Sequence, residues 1–283
     1  MVQTKLILLA ATALLACSCA YEYEYSWERH RMDGRRTGVT APNASNVAQA
    51  LGTVEGDTYT APNGKAFPKG SATYAAAADM IGVQGEMARV KEVIGHAPVA
   101  MVRHDPESEI SNWLVDEMMV DVARLTKRKV DVGITNFGGI RIDMPEGDVI
   151  LDDLLSMFPF KNYLCYVALK GSDLQAIFDY MAKTRVQVLG GVKLVVDGDK
   201  VESVLVGGKR LDPKKTYGVA TNDFLLDGGD GLTIGKNAKE LIVTDQTIID
   251  AMLPYVRSLT ASGKPIAYQT DGRVVIKNRE EQQ

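Results

Sequence analysis

Three short segments of this 283-residue chain carry side chains suited to recognising a small polar ligand. The first is Asn136-Phe137-Gly138-Gly139-Ile140-Arg141. Adjacent glycines let the backbone turn sharply and approach a ligand closely. Arg141 offers a planar fork of donors to a phosphate or a hydroxyl-rich group, and Asn136 offers both a donor and an acceptor to a base edge. The second is Phe158-Pro159-Phe160, where the proline turn can hold Phe160 rigidly enough to serve as one face of a stacking clamp. The third runs from Asn222 to Gly231. It puts Phe224 at a strand end ahead of Gly228-Gly229-Asp230-Gly231, and Asp230 can accept from ribose hydroxyls. Taken singly, each segment has a plainer reading: a tight turn with a surface arginine, a core phenylalanine closing a helix, a solvated turn. The Gly138-Gly139 spacing is neither a Rossmann fingerprint nor a P-loop. The third loop lacks the alternating ladder and distant glutamate of a calcium loop.

The elements that must position these segments are legible in the hydrophobic pattern. Residues 73–94 carry alanines and methionines at helical spacing, and ordered structure is expected from about Ala72. Residues 112–127 form a second helix with Leu114, Met118, Val122 and Leu125 on one stripe. Residues 130–135 read as a strand leading into the Gly-Gly turn, and 151–157 as a short helix that stops before Pro159. Tyr163 to Leu169 reads as a strand that buries Cys165 as an inert thiol. Ser172-Asp173-Leu174-Gln175 matches a capping box, opening a helix with Leu174, Ile177, Phe178 and Met181 on one face. Residues 192–206 form a hairpin about Asp197-Gly198-Asp199. Residues 217–221 are a strand, and 247–259 a final helix kinked at Pro254. Strands, helices and hairpins are intermixed, so the expected class is α+β, with mixed sheets and flanking helices.

Composition narrows the partners. The chain is 46% hydrophobic and 24% charged, enough to bury a core, and its net charge is −4. The longest basic run is Lys127-Arg128-Lys129, so nucleic acid is not the expected partner. At the N-terminus, Lys5 precedes an apolar run from Leu6 to Ala16, too short to span a bilayer and of the length of a signal-peptide core. Leu14-Leu15-Ala16-Cys17 resembles a lipoprotein lipobox, with Cys19 a second candidate. The division is therefore a signal peptide over 1–16, a tether and irregular extension over 17–70, and one domain over 71–283. Acylation would fix the mature chain to a bacterial membrane, facing the periplasm or the cell surface, at about 0.8 kcal/mol per buried CH₂. An ordinary cleaved signal peptide is the alternative. Cys165 is the only other cysteine, so no intramolecular disulfide forms from it within the domain.

The three segments, in this order and with these intervening elements, resemble the C-terminal domain of the 5′-nucleotidase family, from about Met101 to Arg273. The resemblance implies a nucleoside pocket lined by the NxGGIR segment, the PF segment and the GGDG loop. It implies that Phe160 and Phe224 sandwich the base, that Asn136 bonds to it, that Arg141 approaches the phosphate or ribose, and that Asp230 holds ribose hydroxyls. Gly138, Gly139 and Gly229 complete the lining. Pro106 stands where many members carry a phosphate-facing arginine, and Arg103 lies slightly upstream.

In that family hydrolysis belongs to a separate metallophosphoesterase domain, because two-metal chemistry needs several His and carboxylate ligands held together. Here His30, His96 and His104 sit in no such motif, and no catalytic or metal-ligating residue is expected in this chain. Divalent metals are expected in a partner catalytic domain instead. Three functions remain: the recognition half of a split 5′-nucleotidase with a separately encoded metallophosphoesterase, a non-catalytic surface lipoprotein that binds a nucleoside or nucleotide, or a degenerate fold kept for interaction.

Overall fold

A computed structural model describes residues 46–278. The proposed signal segment, both N-terminal cysteines and His30 lie outside the described residues. Helix α1 (Val47–Leu51) leads into strands β1 (Thr53–Glu55), β2 (Thr58–Thr60) and β3 (Ala66–Pro68), which form an antiparallel meander. This corrects the reading of the extension as irregular. Strands of three residues are too short for alternation to register in a sequence window. Tyr59 and Phe67 pair across β2 and β3 with their rings stacked at 5.9 Å. Pro62-Asn63-Gly64 forms the turn between β2 and β3, closed by the Ala61 N–H donating to Lys65 O at 2.9 Å.

Helix α2 (Ala72–Gly82) starts at Ser71, whose Oγ accepts from the Tyr74 N–H. Helix α3 (Gln84–Met87) follows. The single helix expected over 73–94 is thus divided and shortened. Gly82 and Gly85 each weaken a helix by about 1 kcal/mol, and the chain beyond joins strand β4 (Val93–Ala97). The order then runs α4 (Glu109–Thr126), β5 (Val132–Thr135), β6 (Gly147–Ile150), α5 (Leu151–Met157), β7 (Tyr163–Lys170), α6 (Gly171–Lys183), β8 (Val188–Gly190), β9 (Val192–Asp197), β10 (Lys200–Val206), β11 (Lys209–Arg210), β12 (Thr216–Asn222), β13 (Glu240–Thr247), α7 (Ile248–Ala261) and β14 (Val274–Lys277).

The central sheet has the order β13-β7-β12-β5-β8. Its β12–β5 pair is parallel and its other pairs antiparallel. Period-2 alternation divides its side chains between two cores. Leu164, Tyr166, Ala168 and Ala220 face α4 and α7, while Val132, Ile134, Val167, Leu169 and Val219 face α6 and the second sheet. Both faces of this sheet are therefore buried, and the α+β class holds.

Helix α4 buries Leu114, Met118 and Val122 of the expected stripe, together with Trp113 and Val115. It lies so close to the sheet that a Cβ at Gly133 would stand 2.6 Å from Val115 Cγ2, and one at Gly190 2.7 Å from Met119 Sδ. Its start lies three residues earlier than expected, at Glu109. Ser108 and Ser111 cap it reciprocally, at 3.4 Å for Ser111 N–H to Ser108 Oγ and 3.0 Å for the return bond. The capping box expected at Ser172 does not form, because α6 begins at Gly171 with Lys170 at the cap and no side-chain cap bond. Backbone from a neighbouring loop takes the free donors instead: Gly171 N–H reaches Lys215 O at 2.8 Å and Ser172 N–H reaches Pro213 O at 3.1 Å.

The second sheet, β11-β10-β9-β14, contains the expected hairpin, turned at Gly198 with φ +60°. Strand β14 joins β9 in parallel, a long-range pairing no local pattern announces. It is anchored by Arg273, only 8% exposed. The guanidinium donates to both oxygens of Asp116 at 2.8 and 2.9 Å, to Asp271 at 3.0 Å and to Leu189 O at 3.2 Å. Burial alone lowers the pKa of such a group, but Asp116 and Asp271 outweigh it and hold Arg273 above its ordinary value.

Candidate functional site

Strand directions explain why three segments distant in sequence meet. Strands β5 and β12 are parallel, so the turn after Thr135 and the loop after Thr221 leave the sheet at the same edge. Strand β7 is antiparallel to β12, so it begins where β12 ends, just after Phe158-Pro159-Phe160. Hydrogen bonds tie these junctions together. Asn222, fully buried, donates to Thr135 Oγ1 at 3.0 Å and to Asn136 Oδ1 at 3.5 Å, and accepts from the Leu225 N–H at 3.2 Å. Asp223 accepts from the Tyr163 N–H at 3.0 Å. The Arg141 N–H donates to Met157 O at 2.9 Å, joining the Gly-Gly turn to the end of α5.

Asn136 is 5% exposed and lies beneath the turn. A Cβ at Gly138 would stand 3.2 Å from its Nδ2, and one at Gly139 3.2 Å from its Oδ1. The two glycines therefore make room for this amide. Arg103 completes the turn from behind: its Nη1 donates to Ile140 O at 2.6 Å and Phe137 O at 3.2 Å, while its N–H donates to Asp143 at 2.7 Å. Gln187 Oε1 accepts from the Phe137 N–H at 3.1 Å. Arg185, paired with Asp105 at 2.7 and 2.9 Å, lies 5.5 Å from the Phe137 ring centre.

On the solvent side stand the remaining candidates. Of the two phenylalanines flanking Pro159, Phe158 is the core residue, 4% exposed and 6.5 Å from the Trp113 ring. Phe160 is 47% exposed and Phe224 46% exposed. Arg141 lies over the Phe160 ring at 5.7 Å, a cation–π distance, and its Nη1 reaches Gly138 O at 3.4 Å. Phe224 rests on Gly229, where a Cβ would come within 2.7 Å of its ring atoms. Asp230 takes a left-handed conformation with φ +49°, and its Oδ2 stands 4.0 Å from the Cβ position of Gly138. All eight site residues named from the sequence thus belong to one sheet edge or to the turns leaving it. Sequence reasoning missed Asn222, Arg103 and Gln187 as its supports. Asn222 was visible as an amide at a strand end; the other two act across 34 to 50 residues of chain and leave no local mark.

A further concavity lies elsewhere. It has a volume of about 360 Å³, and Val93, Gly95, His96, Asp148, Thr260 and Lys264 are among its lining. Its His96 Nδ1 and Asp148 Oδ1, 3.3 Å apart, are well exposed. We place the site at the aromatic pair, because apolar rings standing half in water beside an arginine and a carboxylate are groups suited to contacting a ligand. Among the described residues, no group of three or more His, Cys, Asp or Glu is placed to hold a metal ion. Cys165 is buried, and burial followed by the charge of Asp223 pushes its thiol up to about 12, as suits an inert core group.

The sequence profile of the family described as "5′-nucleotidase, C-terminal domain" matches residues 93–237, about half of the chain. Protein UshA of Yersinia enterocolitica is 31% identical over 163 residues, covering 55% of this chain and 29% of that protein. An apyrase of Tabanus yao is 31% identical over 170 residues, covering 52% and 30%. Among solved structures, the 5′-nucleotidase precursor of Thermus thermophilus superposes with a TM-score of 0.64 at 24% identity, covering 78% of this chain and 46% of that one. The chain thus spans less than a third of these two curated relatives. On the profile match and the shared fold, this chain belongs to the family of 5′-nucleotidase C-terminal domains.

Proposed function

We propose that this chain is the nucleotide- or nucleoside-recognising half of a split 5′-nucleotidase, with a metallophosphoesterase domain on a separate chain supplying divalent metals and cleavage. The observation that carries this reading is the pair of half-exposed rings, Phe160 and Phe224, beside Arg141 and Asp230 at one sheet edge. A base between the rings removes apolar surface from water, Arg141 meets the phosphate or ribose, and Asp230 accepts from ribose hydroxyls. Asn136 holds the Gly138-Gly139 turn from beneath and meets the base through its small exposed surface. Relatives named 5′-nucleotidase and apyrase support nucleotides as the ligand class. Upstream, we propose that Cys17, or else Cys19, is acylated and anchors the chain in a bacterial envelope, facing the periplasm or the surface. Globomycin sensitivity of processing tests that, and a soluble unacylated mature chain refutes it.

Calorimetry with adenosine, AMP and UDP-glucose tests the pocket. Each stacking ring contributes about 1–3 kcal/mol by analogy with single-strand binders, so Phe160→Ala and Phe224→Ala each weaken binding by about 5- to 150-fold. Both rings are exposed, so melting temperatures should stay near wild type. No binding, or binding indifferent to both rings, refutes recognition. The split arrangement is tested by mixing with a separately purified metallophosphoesterase chain. Hydrolysis no faster than that chain alone refutes the split enzyme and leaves the surface-binding lipoprotein.

A further inference from the structure

The turn that carries Asp230 is packed between two aromatic side chains, and only one of them belongs to the proposed clamp. On one flank Phe224 lies against Gly229. On the other, Tyr180 of α6 lies against Gly231: a Cβ there would stand 2.0 Å from the tyrosine hydroxyl oxygen and 2.9 Å from Cζ. Gly231 adopts φ +74° and Gly228 φ +101°, so the turn is built from conformations that side chains rarely take. Among the described residues Asp230 makes no hydrogen bond to the body of the domain; the turn closes on itself through Gly231 N–H to Gly228 O at 3.0 Å and Gly228 N–H to Leu232 O at 2.7 Å. Its placement therefore depends on what it abuts. The Tyr180 side chain is 40% exposed, and beyond it opens a cleft of about 230 Å³ that also borders Asp173, Thr233 and Lys236. Gly231 itself lines that cleft, so deleting the ring would widen it and leave the turn without support on that flank.

We infer that Tyr180 is a positioning residue of the ligand site: it holds the Gly229-Asp230-Gly231 turn against Phe224 and so sets where the Asp230 carboxylate stands. It does not touch the ligand. This rests on the nucleotide-recognition reading above and adds to it a specificity determinant for ribose hydroxyls.

The test compares adenosine with 2′,3′-dideoxyadenosine by calorimetry on the whole protein. In wild type, adenosine binds more tightly. Tyr180→Ala weakens adenosine by about tenfold, the size of one lost hydrogen bond to a charged group, and changes the dideoxy compound by less than about twofold. A general loosening of the domain would weaken both alike, and that result overturns the inference, as does unchanged adenosine binding in Tyr180→Ala. If Tyr180→Ala does not fold, two milder variants decide. Tyr180→Phe keeps the ring beside Gly231 and leaves adenosine within about twofold of wild type, whereas Tyr180→Leu removes the ring and weakens adenosine by at least about fivefold with the dideoxy compound little changed. Equal effects of the two substitutions on adenosine overturn the inference. Failure of wild type to bind adenosine at all refutes the nucleotide reading instead.

Discussion

Replacing Asn222 by alanine tests whether one buried amide holds the site's two loops in register. Asn222 is wholly buried and makes two bonds of normal length, to Thr135 Oγ1 at 3.0 Å and from the Leu225 N–H at 3.2 Å, plus a long one to Asn136 at 3.5 Å. Each normal bond is worth about 0.5–1.5 kcal/mol net. The variant also leaves the Leu225 N–H without its partner, and an unsatisfied buried donor costs about 1–3 kcal/mol. Allowing for partial relaxation, Asn222→Ala should destabilise by about 2–4 kcal/mol, read from urea unfolding midpoints at constant slope. Thr135→Val removes only the acceptor on β5 and should cost about 1 kcal/mol. Because the two residues share one bond, the double variant should cost less than the sum, with a coupling of at least about 0.5 kcal/mol. Nucleoside affinity should fall in Asn222→Ala under conditions where it remains folded, since the Gly138-Gly139 turn and the Phe224 loop lose their common tie. Additivity within about 0.3 kcal/mol, or an Asn222→Ala variant as stable as wild type, would refute this account of how the sheet edge is assembled.

Other outcomes follow from the charged groups. Arg273→Met strands the carboxylate of Asp116 in a partly buried setting and should destabilise by about 3 kcal/mol, the lower end for a broken buried pair, because Asp116 keeps its bond from Tyr268. Hydrogen exchange should show β14 opening first in that variant. Glu117 is raised to about 7, chiefly by burial and then by Asp121, with Arg124 opposing. Its folded pKa lies above the unfolded value, so the folded state binds the extra proton between about pH 4.5 and 7. Stability from this group is full below that window and is lost as pH rises through it. Discounted for a half-buried, partly screened group, the loss is about 1 kcal/mol. Glu117→Gln should therefore match wild type near pH 5 and exceed it near pH 8, and equal stability at both ends would contradict the shift.

Local chemistry in the chain already specified a good deal. The apolar stripe of α4, the two-residue turn at Gly198 and the continuous apolar run of Tyr163 to Leu169 are coded over a few residues, and each corresponds to an element of the fold. The paired glycines, the aromatic beside Pro159 and the glycine-flanked Asp230 pointed to the components of the candidate site, because backbone turns and exposed rings need particular residue types. Tertiary structure decided what those residues face. Nothing near Phe158 or Phe160 tells which ring enters the core; packing against Trp113 takes Phe158 and leaves Phe160 in water. Only the fold shows that Asn136 lies beneath its turn with a small exposed surface, where Asn222 and two glycines leave it space. The capping box at Ser172 gave way to backbone donors satisfied from a loop some forty residues on. Above all, the meeting of the three segments follows from β5 and β12 running parallel while β7 runs against them. Strand direction is set by which long-range pairs bury both faces of the sheet, and that information is spread over the whole chain.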